Sequence, residues 1–144
     1  GSEMCIRDRA EGSNWEAAAA AAHYKLDNLT LFIDFNGLQI SGAVNEVMNF
    51  TPIGERFRAF GWNVKEIDGN NMEEIVDLLN RIPDEAGKPV LAVLHTVKGK
   101  GISFAEGKAE YHYWTPGKGE LEAAAAEIEG RISLLSEKQK GGSL

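Results

Sequence analysis

Cysteine is nearly missing from this chain, with one residue, Cys5, in 144. A single thiol excludes an internal disulfide and lacks the partners of a zinc site, so a reducing compartment, the cytoplasm, is the expected setting. Histidine is scarce too: His23, His95 and His112 are too scattered for a helical zinc pair. No apolar run approaches the ~20 residues that span a bilayer. Residues 4–10 lack the apolar segment of a signal peptide. Positive charge is outweighed, 15 Lys and Arg against 22 Asp and Glu, for a net of −7. That balance disfavours nonspecific attraction to nucleic acid or anionic membrane, and neither is an expected partner. An anionic ligand must then be held by local geometry.

Several familiar motifs are absent as well. Gly99-Lys100-Gly101 lacks the later glycine and the strand-to-helix context of a dinucleotide fingerprint, and it does not have Walker spacing. Asp68-Gly69-Asn70 resembles the start of a calcium loop, but Glu73 stands where the sharp turn needs glycine. A strand end followed by a helix cap is the favoured reading there. No internal repeat is visible.

What is present describes one ordinary globular domain: 43% hydrophobic, 26% charged and 16 Gly. From Ser13 the pattern turns helical. Ser13 or Asn14 can cap, Glu16 sits as in a capping box, and an alanine-rich run continues to about Leu26. Residues 29–33 form a near-continuous apolar strand of the kind buried in a parallel sheet. A helix over 53–60 follows, with Phe57 and Phe60 on one stripe and Gly61 as its stop. Residues 62–67 alternate as a strand, 72–82 have helical spacing ahead of Pro83, and 89–94 give a third apolar strand. This alternation predicts an α/β layered domain with a mostly parallel sheet, and ligands in such sheets bind beyond the carboxyl ends of strands. Asn36, Asp68 and the stretch 96–98 fall at those ends.

The rest sorts by composition. Residues 96–119 are rich in Gly, Lys and polar aromatics without a period, which predicts an extended functional loop. A last helix is expected over 118–136, with 138–144 fraying. Residues 1–10 form an atypical lead, read as non-native; the domain runs over 11–136 and a flexible tail over 137–144.

The most informative run is Asp34-Phe35-Asn36-Gly37-Leu38-Gln39-Ile40, where an apolar strand gives way to a loop. An amide oxygen, a glycine that frees the backbone and a carbonyl two residues after the amide can face one hard cation from a single turn. That pattern reads as half of a magnesium-diphosphate site. Asn-Gly is also a common turn pair, and the local signal alone favours the purely structural reading.

Three stretches carry a family resemblance: Glu11-Gly-Ser-Asn-Trp-Glu-Ala-Ala18, Ala22-His-Tyr-Lys-Leu-Asp-Asn28, and the run from Asp34 to Ile40. Two more follow in order, Gly54-Glu-Arg-Phe-Arg-Ala-Phe-Gly-Trp62 with Asp68-Gly69, then His95-Thr-Val-Lys-Gly-Lys-Gly101. Together they closely resemble the diphosphate-binding domain of transketolase over residues 11–116. The resemblance reverses the judgement on the turn.

It implies a three-layer thiamin-diphosphate-binding fold, here incomplete, with a mostly parallel sheet and flanking helices. It implies thiamine diphosphate as cofactor with magnesium or another divalent cation. Asn36 would give its side-chain oxygen and Leu38 its carbonyl to the metal, and Asn36, Gly37, Leu38, Ile40 and His112 would bind the cofactor. His112 and Glu11 take catalytic positions by the same likeness, Glu11 in a carboxylate network between paired active sites. Taken alone, Glu11 is a helix-start carboxylate and His112 an exposed loop histidine. Tyr113 and Trp114 depart from the small residues expected after His112. Lys98 and Lys100 either approach diphosphate or solubilise a loop, the second being favoured. The family's Gly-Asp-Gly, whose Asp binds the metal, is not found before Glu11, and Asp8 lacks flanking glycines; truncation is the expected reason.

The implied activity is transfer of a two-carbon ketol unit from a ketose phosphate to an aldose phosphate. The expected partner is a C-terminal transketolase half or subunit bearing the pyrimidine domain, giving a homodimer or heterotetramer when complete. The alternatives are a related thiamine-dependent ketol transferase or synthase with another substrate, and a noncatalytic assembly module that keeps the fold without the metal site.

Overall fold

The structure, a computed structural model, describes residues 2–5, 11–39 and 42–141, with backbone only at 2–5 and 138–141. In chain order the elements are β1 (Ser2–Cys5), α1 (Gly12–His23), β2 (Thr30–Phe35), β3 (Leu38–Gln39), β4 (Gly42–Ala43), α2 (Val44–Val47), α3 (Ile53–Phe60), β5 (Asn63–Asp68), α4 (Met72–Asn80), β6 (Val90–His95), a 3-10 helix at Ala109–Tyr113, and α5 (Glu120–Gly141). The chain divides into two compact units, residues 1–97 and 98–144.

In the first unit β1, β2, β6 and β5 lie side by side in that order, all parallel. Every connection between parallel strands needs a crossover, and α1, α3 and α4 supply them, as the alternating pattern requires. β6 is buried at each position from Val90 to Val93, which explains its unbroken apolar run; β2 alternates, with Leu31 and Ile33 buried. Ala18 and Ala21 of α1 and Ile53 and Phe57 of α3 close over Leu31, Ile33, Leu91 and Val93. The small side chains of α1 permit that close approach. Trp62 seals the end of this core, its indole Nε1–H donating to the Ala18 carbonyl at 2.8 Å. Gly54 lets α3 sit close on β5, because a Cβ there would lie 3.2 Å from Val64 Cγ1.

Helix limits follow local chemistry. Gly61 ends α3 in the left-handed region at φ 98°, where glycine has no steric penalty. Asn71 caps α4 by accepting from the Glu73 and Glu74 amides, and α4 packs along β5.

The second unit is tied together by carboxylates. Glu106 accepts the Gly101 amide at 3.1 Å, Glu127 takes the Ser103 amide at 2.7 Å and hydroxyl at 2.6 Å, and Glu120 takes the Gly117 amide at 2.7 Å and the Trp114 indole at 3.1 Å. These contacts hold all three carboxyls below the usual carboxylate range: chiefly the Gly101 amide for Glu106, the Ser103 hydroxyl for Glu127 and the Gly117 amide for Glu120. Phe104, Tyr111 and Trp114 form an aromatic cluster with centroids 5.7–5.9 Å apart. The stretch read as an open loop therefore has its own small core.

Other expectations are corrected. α1 begins at Gly12 with Glu11 in the cap position and no side-chain capping bond, so the box of Ser13 and Glu16 does not form. β2 runs on through Asp34 and Phe35, and α4 ends at Asn80. α5 continues to Gly141, beyond the expected stop; residues 142–144 lie outside the described residues. Ser2–Cys5, within the lead read as atypical, pair along β2, so the sheet edge there is β1. Residues 6–10, including Asp8, lie outside the described residues.

Candidate cofactor and metal site

β2, β5 and β6 end level with one another. Phe35 pairs with His95, and His95 with Asp68, so three carboxyl ends form one rim. The segment after each strand is then fixed to its neighbours.

At the end of β2 the chain reverses at Asn36 and Gly37. Asn36 Oδ1 accepts the Leu38 amide at 3.0 Å, closing a tight side-chain-to-backbone turn, and Gly37 takes φ 74°. The Gly37 carbonyl accepts the Val44 amide at 3.0 Å, and Leu38–Gln39 pair antiparallel with Gly42–Ala43. Gln39 Nε2 donates to the Met48 carbonyl at 3.3 Å. Asn36, Gly37 and Leu38 thus come together in one half-buried turn, as the sequence predicts; Ile40 lies outside the described residues.

Two residues to which the sequence reading gives no role, Asp34 and Thr96, complete the turn. Asp34 Oδ2 accepts from Asn36 Nδ2 at 3.3 Å, and Asp34 Oδ1 accepts the Thr96 hydroxyl. The Thr96 amide donates to the Phe35 carbonyl at 3.3 Å. From β5, the Gly69 amide reaches the His95 carbonyl at 2.9 Å, and Asn70 Oδ1 accepts the Val97 amide at 2.8 Å. Gly69 must be glycine on steric grounds: a Cβ would sit 2.6 Å from Thr96 Cγ2 and 2.7 Å from Leu94 Cβ. In the sequence Asp34 opens the run to Ile40 and Thr96 lies in the stretch from His95 to Gly101, but neither position by itself indicates that the two side chains meet.

The remaining candidates sit elsewhere. Glu11 is exposed at the start of α1, its carbonyl accepting the Asn14 amide at 3.2 Å. His112 belongs to the second unit, exposed on the 3-10 helix, with Nδ1 3.3 Å from Lys98 Nζ and its ring edge-on to Tyr113 at 4.6 Å. An ammonium can only donate, so Nδ1 accepts in this contact and the ring proton belongs on Nε2. Lys100 pairs with Glu106 at 3.3 Å, in keeping with a structural role for it.

As a metal site the turn offers hard oxygens, an amide and a peptide carbonyl, which suit magnesium. Asn36 Oδ1 keeps a second lone pair after accepting the Leu38 amide. Among the described residues no group of three or more His, Cys, Asp or Glu could hold a metal. The donor set fits a cation shared with a diphosphate.

Comparison with known proteins gives the family. Residues 3–129 match the family described as transketolase, thiamine diphosphate binding domain, a span wider at both ends than the motifs cover. A subunit of apulose-4-phosphate transketolase from Phocaeicola vulgatus is 43% identical over 134 residues, 93% of this chain and 48% of that protein. The 6-deoxy-6-sulfo-D-fructose transketolase subunit SqwG of a Clostridium species is 43% identical over 119 residues, covering 83% of this chain and 43% of that protein. Among solved structures, transketolase from Campylobacter jejuni superposes with a TM-score of 0.80 at 31% identity, over 88% of this chain and 20% of that one. The chain spans about half the length of the curated relatives it matches. With a parallel sheet flanked by helices and a sequence match over most of its length, the chain belongs to the transketolase family, within its thiamine diphosphate-binding domain.

Proposed function

We propose that this chain supplies the diphosphate-binding half of a transketolase that moves a two-carbon ketol unit from a ketose phosphate to an aldose phosphate. The observation that carries this reading is the Asn36-Gly37-Leu38 turn at the strand-end rim, with an amide oxygen held by the Leu38 amide at 3.0 Å. Asn36 and the Leu38 carbonyl would hold magnesium, and Gly37 allows the backbone to turn beneath the diphosphate. His112, with its proton on Nε2, would donate to an anionic oxygen. Glu11 would serve a carboxylate network toward a second active site. When bound, thiamine diphosphate supplies the carbon nucleophile that takes up and releases the two-carbon unit.

The names of the relatives bear on partner and substrate. The apulose-4-phosphate and 6-deoxy-6-sulfo-D-fructose proteins are each named as one subunit of a transketolase, which supports a partner carrying the other half of the site. The sugars in those names favour a second reading, in which the ketose differs from the common sugar phosphates.

Titration calorimetry with thiamine diphosphate, with and without magnesium, tests the site. Magnesium-dependent binding should weaken tenfold or more in Asn36→Ala, on the scale at which removal of a charge-bearing hydrogen-bond or ligand group acts. Binding that ignores both magnesium and the substitution would sink the proposal. The chain assayed without any partner should show no turnover.

A further inference from the structure

We propose that Asp34 is a positioning residue that fixes which end of the Asn36 amide faces the cation; this rests on the reading of Asn36 as a metal ligand. An asparagine amide has nearly the same shape after a half-turn, so packing alone does not choose between its oxygen and its nitrogen. Hydrogen bonds make the choice here. Asp34 Oδ2 accepts from Nδ2 at 3.3 Å while the Leu38 amide donates to Oδ1 at 3.0 Å. A reversed amide would set its N–H against the Leu38 N–H and its oxygen against a carboxylate, two repulsions in place of two bonds.

Asp34 is held in turn. Its other oxygen accepts the Thr96 hydroxyl at the end of β6, and Gly69 packs against the Thr96 methyl from the end of β5. The chain of contacts runs Gly69, Thr96, Asp34, Asn36, and crosses all three strand ends. An outer group that orients a metal-binding side chain in this way typically changes metal affinity 10–100-fold when removed.

The test uses the whole chain. Calorimetry with magnesium and thiamine diphosphate is paired with NMR of the Asn36 side-chain NH2 in ligand-free protein, and thermal unfolding checks each fold. Asp34→Ala, which removes the acceptor, should weaken magnesium-dependent binding at least tenfold and remove the exchange protection of the Asn36 NH2; Asp34→Asn, whose amide oxygen can still accept from Asn36, should lose less. Thr96→Val should act in the same direction to a lesser extent, and Thr96→Ser should match the parent. If Asp34→Ala does not fold, Thr96→Val carries the comparison. Unchanged affinity in folded Asp34→Ala overturns the inference. Should the parent chain fail to bind the cofactor, the proposed function falls first. The NH2 signal then decides the positioning role, and equal protection in parent and Asp34→Ala overturns it.

Discussion

At the residue scale, two glycines act for different reasons. Gly37 has open space where a Cβ would stand, so its requirement is φ 74° alone. Gly37→Ala should cost about 1–2 kcal/mol in a denaturant melt, the scale of the left-handed penalty. Gly69 has an ordinary φ but no room, with Leu94 Cβ and Thr96 Cγ2 inside 3.0 Å of an added methyl. Gly69→Ala should therefore lose more stability than Gly37→Ala, and it should weaken magnesium-dependent cofactor binding by moving Thr96. Equal losses with unaltered binding would separate Thr96 from the site. Asn36 and Gly37 were legible in the sequence because their chemistry is local. Asp34 and Thr96 were not, because they are 62 positions apart and meet only through the register of β2 with β6.

Among the elements, legibility followed the strength of the periodic signal. α3 lies over the stretch its apolar stripe and Gly61 mark out, and β6 is shifted by a single residue from its apolar run. The two-residue strands β3 and β4 and the one-turn helix α2 have no room for a period. β1 escaped notice because Ser-Glu-Met-Cys carries no strand pattern; backbone pairing to Leu31–Asp34 makes it a strand. The start of α1 was misplaced because a good capping sequence at Ser13 is overruled by a turn that begins at Glu11. The segment before α5 was read as loop since its order comes from glutamates binding backbone amides, a pattern without periodicity.

That second unit should respond to acid. Glu106, Glu120 and Glu127 have folded pKa values below their ordinary ones. Their stabilising contribution is therefore full above the unfolded value of roughly 4.3 and is lost as pH falls through the folded values. Near-UV circular dichroism should show the Trp114 environment loosening below about pH 4, and Glu120→Gln should blunt that response. A signal that stays flat to pH 2.5 would contradict the assignment of these carboxylates as ties.

For the whole molecule, the apolar surface still facing solvent is considerable. Met72, Val76 and Leu79 of α4 are 68%, 47% and 50% exposed, and Leu121, Ile132 and Leu135 of α5 are 61%, 57% and 62% exposed. Surface of this kind marks contacts or poor solubility. That surface lies on helices, and β1 pairs along the side of β2 away from β6. Sedimentation analysis should find concentration-dependent association, and a freely soluble, monodisperse monomer would count against it.

Because β2, β5 and β6 stop at a common level, each following loop departs from the same floor. Length and composition beyond that floor can vary without shifting a single rung of the sheet. Change can thus accumulate in the overhanging segments while the strand-end platform beneath goes on unaltered.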